Sequence, residues 1–281
     1  MLKKRDKARE FLEANSSLFR CPLCHEATDV NDYTLTCRKN HQFELSKKGT
    51  LYFLKTHTQT EYNQKMFSHR QAMIKSGMYK NMLAAVLPQT AEGKVILDVG
   101  CGEGSFLSEL AFLGMEGTKI GFDISKEGVY LASNQPIDAF WCAADLTNLP
   151  FADQSVDCIL NIFSPSHYGE FQRVLTPKGR VIKIIPEEGY LKELRAGFFP
   201  EDLEKQHYSN LKVVEKFSQS MKLIENQRIT TIFDVPQERR LDLLEMSPLE
   251  WQATTERKAQ LQENPLEEIT VDLRMLIGEI R

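Results

Sequence analysis

No segment of the 281-residue chain stays apolar for the roughly eighteen to twenty residues that a membrane-spanning helix needs, so none is expected. The first eighteen residues are charged throughout and contain no apolar h-region, which argues against a secretory signal. They fit instead a short amphipathic helix using Leu2, Phe11 and Leu12. Internal repeats and low-complexity tracts are missing too, which excludes solenoid and low-complexity architectures. Cysteine is scarce: six residues, at positions 21, 24, 37, 101, 142 and 158. The expected setting is cytoplasmic, where disulfides are disfavoured, so the early cluster of three needs another explanation. With 42% hydrophobic residues and a net charge of −4, the chain has the makeup of a soluble globular protein. Its length accommodates one large domain and a small one.

The modest net charge conceals a segregation. Residues 1–80 carry 15 Lys and Arg against 8 Asp and Glu, a balance of +7, whereas residues 81–281 balance to −11. A basic front end favours a polyanionic partner over a neutral one, the alternative being a solvated surface. That front end also holds Cys21-Pro-Leu-Cys24 followed by Cys37-Arg-Lys-Asn-His41, the pattern C-x2-C-x12-C-x3-H. Three thiols and an imidazole in two close pairs suit tetrahedral zinc, and four protein ligands make such a metal structural. His25 is a competing ligand, strained by following Cys24 directly, and free or redox thiols are the other alternative. Tyr33–Thr36 and Gln42–Leu45 alternate as short strands do, so a zinc ribbon is expected. So small a segment buries little core, and structural zinc worth roughly 10–16 kcal/mol supplies the missing stability.

The stretch Val95-Ile-Leu-Asp98-Val-Gly100-Cys-Gly102-Glu103-Gly104 organises the remainder. An apolar run leads into glycines at every second position, and apolar residues at helical spacing follow from Ser105 to Leu113. A strand that breaks into a glycine turn and then a helix presents bare backbone N–H groups to a nucleotide-type ligand. The glycines miss the G-x-G-x-x-G spacing of dinucleotide sites. Two more acids close short apolar strands: Asp123 after Ile120-Gly-Phe, placed for a ribose diol, and Asp145, followed by Leu146, after Ala143-Ala144. The alternative reading of either acid alone is a helix N-cap. Three acids at successive strand ends are better explained by a ligand, because open α/β sheets bind at their carboxyl ends.

Strands and helices then alternate: strands at 95–99, 119–124, 138–144, 156–163 and 180–185, helices at 105–113, 126–133 and 167–174. That is the pattern of a doubly wound parallel sheet. Residues 61–87 are expected to be helical with a break near Gly77, and 55–60 to be a polar linker. In the tail, 215–224 and 227–234 are expected to be strands, and 235–251 and 272–280 helices. The domain plan is a helix and separate ribbon module over 1–54, linker and helices over 55–90, and the nucleotide-binding domain over 91–281.

The spacing D-x-G-x-G-x-G resembles motif I of the class I methyltransferases, which use S-adenosylmethionine. The fold so implied is α/β and Rossmann-like, a mostly parallel seven-stranded sheet preceded by the small zinc ribbon. More specifically, the Cys-Pro-Leu-Cys-His ribbon, the Met-rich helix after it, Leu-Asp-Val-Gly-Cys-Gly-Glu-Gly and the distal Met246-Ser-Pro-Leu-Glu-Trp251 together resemble the RlmA (RrmA) family. These are 23S ribosomal RNA guanine-N1 methyltransferases, and one branch is linked to resistance to tylosin-type macrolides. The resemblance spans nearly the whole chain. It implies one zinc on Cys21, Cys24, Cys37 and His41, and cofactor contacts at Tyr79, Gly102, Glu103 and Tyr190, beside Asp98, Gly100, Asp123, Asp145 and Leu146. The implied partner is a hairpin loop of 23S ribosomal RNA, with a homodimer as one arrangement. Basic residues at the front end, Arg20, Arg38, Lys39, Lys47, Lys48 and Lys55, are the candidate RNA contacts. Asn161-Ile-Phe-Ser164-Pro-Ser166 faces the acceptor in such folds, yet it lacks both the Asn-Pro-Pro-aromatic clamp and a Pro-Cys nucleophile. Asn161, Ser164 and His167 are left as positioning groups, and the catalytic base is unknown. The competing readings are a small-molecule methyltransferase with a ribbon for dimerisation, and a binding module without activity.

Overall fold

The computed structural model describes residues 2–54 and 63–281. In chain order the elements begin with α1 (Lys4–Asn15), β1 (Thr28–Asn31), β2 (Thr34–Cys37), β3 (Gln42–Glu44), β4 (Thr50–Tyr52), α2 (Gln64–Lys75) and α3 (Lys80–Val86). The alternating core follows as β5 (Val95–Val99), α4 (Ser105–Phe112), β6 (Thr118–Asp123), α5 (Lys126–Ala132), β7 (Phe140–Ala143), β8 (Val156–Ile162), α6 (Tyr168–Val174) and β9 (Leu175–Pro186). The C-terminal part contains α7 (Lys192–Phe198), α8 (Leu203–Gln206), α9 (Leu211–Ser220), β10 (Lys222–Asp234), α10 (Arg240–Glu245), α11 (Thr255–Glu263) and β11 (Glu268–Glu279).

β1, β2 and β3 form a three-stranded antiparallel sheet, the expected ribbon. The main sheet runs β10-β11-β9-β8-β5-β6-β7-β4, parallel from β4 through β9 and closed at one side by the antiparallel pair β10 and β11. Seven of these strands are those expected of the class I sheet. The eighth, β4, comes from the ribbon's own exit segment and pairs in parallel with β7, Leu51 opposite Cys142.

The ribbon is thus joined to the sheet and does not form the separate module its sequence had indicated. Phe19, Leu35, Phe43, Leu51 and Phe53 share one buried cluster with Leu97, Val99, Phe122, Phe140 and Phe151. Aromatic contacts lock this seam: Phe11 stacks on Phe140 at 4.8 Å, and Phe19 meets Phe140 at 5.6 Å and Phe151 at 5.7 Å. The opposite face of the sheet is covered by α2, α3, α4, α7, α10 and α11, which contribute Met73, Leu83, Leu107, Leu194, Leu243 and Leu261. Burial from both sides explains why β5 is apolar apart from Asp98.

Two tail assignments are corrected. Leu211–Ser220 is a helix where a strand was expected over 215–224: Val213, Val214, Phe217 and Met221 follow the 3-4 spacing that turns one stripe onto β11, and Phe217 and Met221 contact Gly278. Residues 272–280, expected to be helical, belong to β11. Ile269, Val271, Leu273, Met275 and Ile277 fill one side cluster, while Thr270, Asp272 and Arg274 alternate with them and Leu276 enters the other, the period of two that belongs to a strand. The expected helix over 235–251 is realised as α10 flanked by short 3-10 turns. The helical stretch from 61 is confirmed from Gln64 onward, with its break at Gly77.

Candidate metal centre and cofactor site

The metal ligands are set on two turns. Cys21 Sγ lies 3.4 Å from His41 Nδ1, Cys24 Sγ 3.5 Å from Cys37 Sγ, and Cys37 Sγ 3.4 Å from His41 Nδ1. All four ligand atoms fall within 4.8 Å of one another. A tetrahedron with metal–ligand distances of about 2.0–2.3 Å has edges of about 3.3–3.8 Å, so these separations match zinc. Each turn also aims a backbone N–H at sulfur, from Leu23 to Cys21 and from His41 to Cys37, both at 3.4 Å, which favours thiolates. His25 stays outside the cluster, its backbone in the left-handed region at φ 62° and its N–H donated to the Cys21 carbonyl.

This centre is tied to the loop after β7. Asn148 Nδ2 donates to the Pro22 carbonyl at 2.7 Å, inside the first metal turn, and the Arg20 N–H donates to the Pro150 carbonyl. The same loop begins with Asp145 and Leu146, which line a cavity of about 440 Å³ at the carboxyl ends of β5, β6, β7 and β8.

Gly100, Gly102, Asp123, Asp145 and Leu146 all line that cavity, as their strand-end positions predicted. Gly100 is required by close approach: at φ 68°, a Cβ there would sit 2.6 Å from Ser164 Cβ. Asp123 accepts the Gly102 N–H on Oδ2 and the Ser125 N–H on Oδ1, both at 2.8 Å, and so pins the glycine turn to the β6 end. Burial raises its carboxyl above the ordinary range while those backbone bonds pull it down. Asp145 Oδ1 accepts from the N–H and hydroxyl of Thr147, so it also caps its own turn.

Asp98 lies beneath the turn, 3% exposed, and its Oδ2 has no hydrogen-bond partner among the described residues. Burial, aided by Asp123 and Glu103, pushes its carboxyl up to about 8. Glu103 is equally buried, raised by desolvation, and borders a separate small hollow rather than this cavity. Tyr79 and Tyr190 do not line the cavity either. Their hydroxyls bond each other at 2.7 Å, and both rings pack behind Phe163, at 5.7 and 5.6 Å, so Phe163 stands where contact with a ligand was expected of them.

Sequence reasoning missed Phe67 and Arg70, which α2 lays over the glycine turn as part of the cavity wall. Their i, i+3 spacing on a helix outside the alternating core was the only signal. Lys183 was also missed. It is a charge inside the apolar run Val181–Ile185 and the direct cross-strand partner of Asn161. Lys183 Nζ donates to Asn161 Oδ1 at 2.5 Å, to Ser166 Oγ at 2.8 Å and to the Ser164 carbonyl at 3.2 Å. Asn161 Nδ2 in turn donates to Ser164 Oγ and the Pro165 carbonyl. Burial lowers the Lys183 ammonium to about 8. His167 accepts the Glu170 N–H as the cap of α6.

Of the candidate RNA contacts, Arg20 is engaged inside the protein, within 3.6 Å of Asp153 and 3.7 Å of Glu170. Lys39 faces Glu26 at 4.0 Å and Lys48 lies over the Tyr130 ring. Arg38 and Lys47 are exposed, and Lys55 lies outside the described residues.

The donor set fits S-adenosylmethionine. That molecule carries a sulfonium, an ammonium and a ribose diol, and the cavity offers the Asp123 and Asp145 carboxyls, with the unpartnered Asp98 oxygen buried beneath the glycine turn.

Known proteins agree. The family described as RlmA, N-terminal, a zinc ribbon, matches residues 19–58, and the methyltransferase domain family matches residues 90–236. A Bacillus subtilis (strain 168) protein provisionally named 23S rRNA (guanine-N(1)-)-methyltransferase YxjB is 36% identical over 274 residues, covering 93% of this chain and 97% of that protein. The 23S rRNA (guanine(748)-N(1))-methyltransferase of Streptomyces fradiae is 24% identical over 268 residues, covering 92% and 95%. With both modules matched in tandem and a full-length relative at this identity, the chain belongs to the RlmA family of S-adenosylmethionine-dependent methyltransferases, built on a structural zinc ribbon.

Proposed function

We propose that the protein transfers the methyl group of S-adenosylmethionine to N1 of a guanine in a hairpin loop of 23S ribosomal RNA, in the cytoplasm, with a homodimer as its working form. The observation that carries the transfer reading is the cavity at the carboxyl ends of β5 to β8, where a glycine turn, Asp123 and Asp145 meet the Phe163–Ser164–Pro165 wall. The choice of guanine N1 rests on the names of the full-length relatives. No helix among the described residues is long and apolar enough to cross a membrane, which accords with an RNA substrate.

The cofactor, when bound, supplies a methyl group activated on a positively charged sulfur. The chain's main task is alignment, because the leaving group needs no proton, while the proton on guanine N1 passes to water or a base at the acceptor as the methyl group is transferred. Gly100 and Gly102 let the backbone approach, Asp123 takes the ribose, and Asp145 and Leu146 border the adenine. Asp98 and Glu103 place buried carboxyls under the turn, which a bound sulfonium and ammonium would draw toward ionisation, and Tyr79 and Tyr190 act through Phe163. The Asn161 and Lys183 side chains bond each other and otherwise bond the Ser164–Pro165–Ser166 loop, so they fix its shape. The target guanine must leave its stack, since N1 lies on the pairing edge. Incubating the protein with labelled S-adenosylmethionine and unmodified 23S transcript, then digesting to nucleosides, tests this. Label in 1-methylguanosine is expected. Label in another nucleoside overturns the acceptor, and no transfer to RNA overturns the function.

A further inference from the structure

A second cavity, of about 480 Å³, adjoins the cofactor cavity and shares with it the wall Phe163–Ser164–Pro165. Its far side is made by α9 and the segment before it, with Tyr208, Lys212 and Lys216. Lys183 reaches its floor. Three lysines therefore line this space and no carboxylate does, in a chain whose residues 81–281 balance to −11. Lys212 and Lys216 are four residues apart on α9 and so lie on one helical face. Among the described residues, neither side chain makes an ion pair or hydrogen bond, whereas Arg20 and Lys39 are ion-paired and Lys48 lies over an aromatic ring at the front end. α9 is anchored by Phe217 and Met221 against β11, so its lysines are presented from a fixed support.

We propose that this second cavity receives the acceptor strand of the RNA, with Lys212 and Lys216 holding the phosphates that flank the target nucleotide. The proposal rests on the reading of the protein as an RNA methyltransferase and says how that substrate is gripped. A cavity of this size holds one unstacked nucleotide, and Tyr208 offers an aromatic ring for a base to stack on, a contact indifferent to sequence. The phosphates on the α9 face fix register, and the base is left pointing at the shared wall, beyond which the methyl donor lies. The charge segregation of the sequence is therefore misleading about where the strand is gripped: the productive contacts sit in the acidic half of the chain.

The test titrates an unmodified 23S transcript carrying the target hairpin against wild type, Lys212→Ala/Lys216→Ala, and Arg38→Ala/Lys39→Ala from low to moderate salt. Initial methylation rates are measured in parallel, and thermal midpoints check folding. Each phosphate contact to an unpaired strand contributes about 0.7 to the salt slope, so the α9 double variant is expected to lose about 1.4. Its KM for the transcript should rise while its KM for S-adenosylmethionine stays at the wild-type value. Lys212→Arg/Lys216→Arg should restore the slope. If wild type methylates the transcript and the α9 alanine variant matches it in slope and KM, the α9 grip is wrong and the parent reading stands. If wild type transfers no methyl to the transcript, the parent reading falls and the grip falls with it.

Discussion

Asp123 serves two elements at once. Its carboxylate fixes the glycine turn through Gly102 and the start of α5 through Ser125, and it still faces the cavity. Asp123→Ala should weaken S-adenosylmethionine binding by about 1.5–3 kcal/mol, the range for hydrogen bonds to a charged group. Calorimetry giving an unchanged affinity would remove Asp123 from the site. Asp98 makes a different demand, being held at about 8 by burial when its unfolded value is near 3.8. Between those values the unfolded chain has released this proton and the native protein keeps it, so stability is lost as pH rises from about 4 through 8. In Asp98→Asn the fall in melting temperature of the cofactor-free protein from pH 5 to pH 8 should be shallower than in wild type. Parallel curves would show that Asp98 does not carry the effect. Glu103 and Asp123 are raised by the same cause, so the variant's melting temperature should still fall somewhat with rising pH.

At the scale of elements, legibility followed how local the signal is. β5, β6 and β7 were readable because a glycine turn or an acid punctuates their ends, and the metal turns because ligand spacing is local. The helical assignment of 272–280 cut across a period-two signal that begins earlier, where Ile269, Val271, Leu273 and Met275 alternate with Thr270, Asp272 and Arg274 along β11. Nothing local in the sequence showed that Thr50–Tyr52 would pair with β7, a contact about ninety residues away in the chain, and only the i, i+3 spacing of Phe67 and Arg70 hinted that α2 would bring them to the cavity wall. Those placements change what a ribbon mutation should do. Because Pro22 in the first metal turn holds Asn148 of the cofactor loop, Cys21→Ser should reduce zinc below one equivalent and weaken S-adenosylmethionine binding as well. Metal analysis of protein purified without chelators checks the first expectation and calorimetry the second. A variant lacking zinc with unimpaired cofactor affinity would restore the independent ribbon that sequence alone had indicated.

For the molecule as a whole, the question is whether ribbon and sheet stand or fall together. One face of the sheet is roofed by α1 and the ribbon, with Phe19, Leu51 and Phe53 in the same buried cluster as Phe122 and Phe140. Removing the ribbon would expose Phe122, Phe140 and Phe151, all at most 2% exposed, at roughly 1.5–3 kcal/mol for each side chain uncovered. That is a large fraction of the 5–15 kcal/mol by which a domain is stable, so an unroofed sheet has little margin left. The protein should therefore unfold in one step. Trp141 is a suitable reporter, 4% exposed beneath Gly104, where a Cβ would lie 2.6 Å from its ring. In a Trp251→Phe background, Trp141 fluorescence and release of zinc to a colorimetric chelator should follow the same denaturant curve with one midpoint. S-adenosylmethionine should move both curves to higher denaturant together, because it binds only the native state. Zinc release at a lower midpoint than the fluorescence change, with the cofactor shifting fluorescence alone, would show two units that melt separately and would break the link between metal turn and cofactor loop.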